Sequence, residues 1–149
     1  MAGWKYHVGK ISVRLEVFGE KWDPDRVARM CGLQPTELLH PHQTTRQLTF
    51  SKREAHPESV GVWVLDSAAH VKSKDVQEHF QYVLKTVLPR LPEFDAATVG
   101  AARHITLDWE STQAGTAGPE LSPEILSGLA QLKAPMQIHV HRIDETDIS

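Results

Sequence analysis

The chain has 149 residues, 40% of them hydrophobic and 23% charged, with a formal net charge of −3. That size and balance suit one soluble domain spanning 1–149, with a core over about 8–143 and an acidic tail at 144–149. The acid excess and the scattered Lys and Arg argue against nucleic-acid binding. No run approaches the ~20 apolar residues of a membrane span, and Met1–Lys10 lacks the apolar stretch of a signal peptide. The expectation is therefore a soluble cytoplasmic protein. Its single cysteine, Cys31, excludes an intramolecular disulfide. Lying after Met30 on the apolar side of a helix, it reads as a small core residue.

Ile11–Phe18 alternates with period two, which predicts a strand. Ile11, Val13, Leu15 and Val17 share one face; Ser12, Arg14, Glu16 and Phe18 share the other. Asp23 then offers a helix N-cap, Pro24 suits the first turn, and Gly32 stops the helix as a left-handed residue. Pro35 prevents its resumption, so Leu33–Thr45 reads as a surface connection. Thr45–Lys52 predicts a short strand. Val60–Asp66 is a continuous apolar run and predicts a central strand covered on both faces.

Ser73 is the expected cap of the longest helix, whose stripe is Val76, Phe80, Val83, Leu84, Val87 and Leu88. Pro89 and Pro92 end or kink it. Ala102–Glu110 alternates again, with Ile105, Leu107 and Trp109 inward and Thr106 and Asp108 outward. Ser111–Gly118 reads as a mobile Gly/Ser/Thr linker. A last helix runs from Pro123 to about Leu132 under a Ser122 cap, and Met136, Ile138 and Val140 mark a final strand. Trp22-Asp23-Pro24-Asp25-Arg26-Val27 and Leu121-Ser122-Pro123-Glu124-Ile125-Leu126 share one pattern, with apolar residues at the spacing of a hydrophobic staple.

The order β-α-β-β-α-β followed by α-β predicts a two-layer α+β domain. It would have a four- to five-stranded, mostly antiparallel sheet, three helices and the element order of a ferredoxin-like split βαβ unit. Gly32-Leu33-Gln34-Pro35-Thr36, followed by Gly61-Val62-Trp63, resembles the bacterial domain-of-unknown-function family 4279 over roughly Ile11–His141. The resemblance implies an architecture, and it is compatible with the role of a toxin-neutralising immunity protein.

Nine histidines make metal binding the first chemistry to weigh. His139 and His141 lie two apart on one strand, so both point to one face, where Glu16 or Asp108 could add a third ligand. Without a His-Glu-x-x-His spacing, the same residues read as a solvated polar face, and no metal or cofactor is assigned. His40-Pro41-His42 reads as an exposed loop. Glu16 and Asp108 would be a poor acid–base pair on a broad open sheet face, where neither is desolvated. No catalytic motif occurs, so an enzyme is not expected.

Trp63 is open to two readings. With Val62 and Val64 toward the helices it would face outward, as an exposed anchor or under the Leu33–Thr45 loop; otherwise it turns inward. A loop over Trp63 would form a shallow pocket. The expected function is a non-catalytic protein-binding module, monomeric or homodimeric. Its surface would be Arg14, Glu16, Thr36, Trp63, Asp108, His139 and His141. The alternative is a metal-dependent small-ligand protein or enzyme using the strand histidines.

Overall fold

A computed structural model describes residues 8–41, 59–112 and 118–144. The expected strand over Thr45–Lys52, residue His42, most of the Ser111–Gly118 linker and the last five residues of the tail lie outside these.

Five strands form one sheet: β1 (Val8–Glu20), β2 (Glu37–Leu39), β3 (Val60–Asp66), β4 (Ala102–Ser111) and β5 (Met136–Arg142). Their spatial order is β2-β3-β1-β4-β5. Strands β3 and β4 both run antiparallel to β1, β2 runs antiparallel to β3, and β5 runs parallel to β4. The domain is thus α+β with a mostly antiparallel sheet. A ferredoxin-like unit would set β1 beside a parallel neighbour; both neighbours of β1 are antiparallel.

The helices are α1 (Asp25–Cys31), α2 (Val76–Val87), α3 (Leu91–Ala97) and α4 (Pro123–Leu132). They gather on one face, where Val27, Phe80, Val83, Phe94 and Ile125 pack on Val13, Leu15, Val17, Ile105 and Leu107. Between α2 and α3 the chain makes a single 3-10 turn over Leu88–Arg90. The expected long helix is therefore kinked and restarted rather than ended. Pro92 falls in the first turn of α3, where its missing N–H costs nothing.

The helix ends follow local chemistry. Asp23 Oδ1 accepts the Asp25 N–H at 3.0 Å, and the Gly32 N–H donates to Ala28 O at 2.9 Å from a left-handed φ of 72°. Ser122 Oγ accepts the Ile125 N–H at 3.2 Å. The cap of α2 is Asp75, not Ser73: Asp75 Oδ1 accepts the Gln77 N–H at 2.9 Å, and Ser73 Oγ supports Asp75 N one step earlier. The two similar helix starts part company in packing. Trp22 and Val27 are both buried, whereas Leu126 is exposed, so only the first unit closes its staple. Gly61 admits the Trp22 carbonyl so closely that a Cβ there would lie 2.0 Å from its oxygen. That contact holds the entry to α1 against β3.

Cys31 is buried, and burial pushes its thiol above the ordinary range. This is the expected structural cysteine.

Candidate functional site

The sheet face away from the helices carries the polar rows. Register places Arg14 between Asp66 and Thr106, Glu16 between Val64 and His104, and Asp108 between Ser12 and His139. Arg14, Glu16, Asp108, His139 and His141 therefore share one face, as the alternation predicts. Glu16 and Asp108 lie four residues apart along the β1–β4 ladder, so they are not cross-strand partners.

Trp63 takes the inward reading. It pairs with Val17 and packs edge-on to Phe94, with ring centroids 5.7 Å apart and 0% of its surface exposed. Its face is fixed by β1, because Val17 belongs to the helix side. Val60, Val62 and Val64 then point to the opposite face with Phe18 and Leu39. The indole is consequently no surface anchor.

Thr36 has a different task from covering Trp63. The Thr36 N–H donates to Val64 O at 2.7 Å, and Thr36 Oγ1 accepts the Asp66 N–H at 3.0 Å. These bonds seat the three-residue β2 beside β3, inside the stretch expected to be an irregular connection. Seating β2 sets Glu37 on the outer face, where Glu37 Oε2 accepts from Arg14 Nη2 at 2.7 Å.

A four-charge cluster results. Arg14 Nε reaches Glu16 Oε1 at 3.3 Å, and Arg14 Nη1 reaches Asp66 Oδ2 at 3.4 Å. Asp66 Oδ1 also accepts from Ser12 Oγ at 2.8 Å and from the Ala68 N–H at 2.9 Å. Burial works against the Arg14 charge, but Glu37, Glu16 and Asp66 outweigh it and hold the guanidinium above its ordinary range.

Glu16 overturns the expectation of a solvated acid on an open face. It is 1% exposed, and its Oε2 has no hydrogen-bond partner. Burial pushes its carboxyl up to about 7, against the lowering by Arg14; Glu37 and Asp108 push it slightly further. The outer face is therefore of two kinds. Around β3, β1 and the middle of β4 it is buried, at Val62, Val64, Glu16 and Thr106; from Asp108 onward in β4 and along β5 it is accessible.

The accessible end holds a second cluster. His139 Nδ1 lies 3.2 Å and His141 Nε2 lies 3.5 Å from the same oxygen, Asp108 Oδ1. The two imidazoles stand edge-on with centroids 6.3 Å apart. A third grouping, Asp23, Asp25 and His40, sits at the start of α1, with His40 Nε2 at 2.7 Å from Asp25 Oδ2. There Asp23 is already committed to Arg29 at 2.9 Å, which lowers its carboxyl below the ordinary range.

Sequence reasoning missed a buried relay. Val13 N–H donates to Ser67 Oγ at 2.8 Å, Ser67 Oγ lies 2.7 Å from His79 Nδ1, and His79 Nε2 lies 2.8 Å from Ser73 O. A carbonyl can only accept, so Nε2 carries the proton and Nδ1 accepts from the serine. Ser67 is fully buried and His79 nearly so, which makes this pair a core brace rather than a nucleophile and base. On the helix side, a groove of about 560 Å³ between α2 and α4 is lined by Leu84, Leu88 and Ile125 with Lys85 and Glu124 at its rim.

The fold and this face define a small α+β domain with one helical layer and a charged outer sheet surface. No described helix is long and apolar enough to cross a membrane. The chain belongs to the family described as domain of unknown function (DUF4279), whose model matches residues 9–142. No curated protein and no solved structure matches it.

Proposed function

We propose that the chain is a non-catalytic protein-binding module that engages a basic protein partner through the β4–β5 end of its sheet. The observation that carries this reading is strand β5, which follows β4 and is last in the sheet order among the described residues. Its helix-side residues Ile138 and Val140 stay 43% and 45% exposed, although their partners Leu107 and Trp109 are buried. An exposed edge with apolar side chains is a hazard unless a partner uses it. Adding a strand there supplies main-chain hydrogen bonds, and alternate side chains supply selectivity.

Charge supports a basic partner. At the β4–β5 end the outer face carries Asp108 and Glu110, in a chain of net charge −3. Such a face steers and holds a positive surface and repels phosphate backbones. A toxin-neutralising immunity protein is the biological role that suits these properties, since it acts by blocking a surface.

Co-expression with the product of the adjoining reading frame tests the reading. A stoichiometric complex is expected, with the double substitution Ile138→Lys, Val140→Lys weakening affinity by about 30-fold or more. Leu126→Lys, on the far side of α4, should change it less than about threefold. Equal affinity for wild type and the double variant, or no complex, contradicts the proposal.

A further inference from the structure

We propose that Asp108, His139 and His141 form a binding site for one zinc-class divalent cation, open at its fourth position. The site does not depend on the partner described above; it rests on the geometry of two strands.

The three ligand atoms already stand near the corners of a coordination polyhedron. All lie within 4.8 Å of one another. A tetrahedral zinc centre with bonds of about 2.0–2.1 Å sets its ligand atoms roughly 3.3–3.4 Å apart. Asp108 Oδ1 is 3.2 Å from His139 Nδ1 and 3.5 Å from His141 Nε2, so two of the three edges are in place. The third is at most 4.8 Å, and both rings, 42% and 54% exposed, have room to turn toward each other.

The backbone fixes this placement. His139 and His141 are two apart on β5 and must share a face. The parallel register sets Asp108 directly beside His139, and His141 follows one pleat further along. Two imidazoles and one carboxylate select zinc and its borderline neighbours over magnesium or calcium, which take oxygen ligands. Three protein ligands leave one position for water or for a side chain from another molecule.

The alternative grouping at Asp23, Asp25 and His40 is the weaker ligand set. Its Asp23 is held by Arg29 and also accepts the Asp25 N–H, so binding a cation there would break existing bonds. At the β4–β5 site, the contacts a cation would replace are those of the two imidazoles to Asp108.

The test is calorimetric titration of zinc chloride into full-length protein purified without a polyhistidine tag. Cobalt serves as a second probe through the intense visible bands of a tetrahedral site. One cation per chain is expected, unaffected by excess magnesium. His139→Ala, His141→Ala and Asp108→Ala should each lower affinity by at least about tenfold, while His40→Ala leaves it unchanged. Metal-free melting temperatures of the variants should match wild type, because all three side chains lie on the accessible face. The absence of stoichiometric zinc binding overturns the proposal. So does binding that survives the β4–β5 substitutions, or that is lost with His40→Ala.

Discussion

Trp63→Ala is expected to lower the unfolding free energy by about 3–5 kcal/mol, the range for removing a large aromatic from a packed core. Trp63 has no exposed surface and meets Phe94 edge-on at 5.7 Å, so its loss leaves a cavity where β3, β1 and the helical layer join. Trp63→Phe should cost less than half as much. It keeps most of the ring packing and removes an indole N–H that has no hydrogen-bond partner. Urea denaturation of the three proteins decides the matter. Near-equal stability of wild type and Trp63→Ala would instead place the indole on the surface.

Glu16→Gln should stabilise the protein at pH 8 and change little below pH 4.5. The Glu16 carboxyl has an ordinary value of 4.5 and sits at about 7 in the fold, because burial penalises its charge. The folded state therefore holds this proton more tightly than the unfolded chain. The resulting stability is fully present below about pH 4.5 and is lost as pH rises through about 7. The gap between the two values corresponds to about 3 kcal/mol at most. Glutamine removes the penalty and still offers an oxygen to Arg14.

Arg14→Met should act in the opposite direction, costing about 3 kcal/mol at pH 8 by leaving Glu16, Glu37 and Asp66 without their shared cation. Below the Glu16 titration the cost should shrink. Denaturation curves at pH 5 and pH 8 measure both effects. A pH-independent Glu16→Gln difference would show that Glu16 is solvated.

Where one face of a strand is buried and the other polar, the sequence shows the facing directly. Val13 and Leu15 against Arg14 and Glu16 in β1, and Leu107 and Trp109 against Asp108 in β4, are of that kind. Strand β3 has no such contrast, because Val62 and Val64 are as deeply buried as Trp63 and Leu65. Its parity came only from pairing with β1, a long-range contact that no local pattern encodes. Glu16 was legible as outward but not as buried. Alternation reports which face a side chain takes, and burial depends on what else reaches that face.

The helix caps divided for a local reason. Ser73 and Asp75 both offer an oxygen ahead of the same apolar stripe, and two residues of ambiguity is the usual limit of boundary reading. Prolines 89 and 92 signalled an interruption correctly, while the restart as α3 followed from the tolerance of proline in a first turn. At the accessible site, the His-x-His spacing was visible in β5. That Asp108 would be the adjoining carboxylate depended on the parallel β4–β5 pairing across α4. Glu37 entered the Arg14 cluster only because Thr36 seats β2 on β3.

Amide hydrogen exchange on the chain alone and in complex with the co-expressed basic protein proposed as its partner tests the β5 surface most directly. Added protection is expected across Met136–Arg142, with the α2–α4 groove unchanged. Protection confined to that groove, with β5 exchanging as in the free protein, would contradict it.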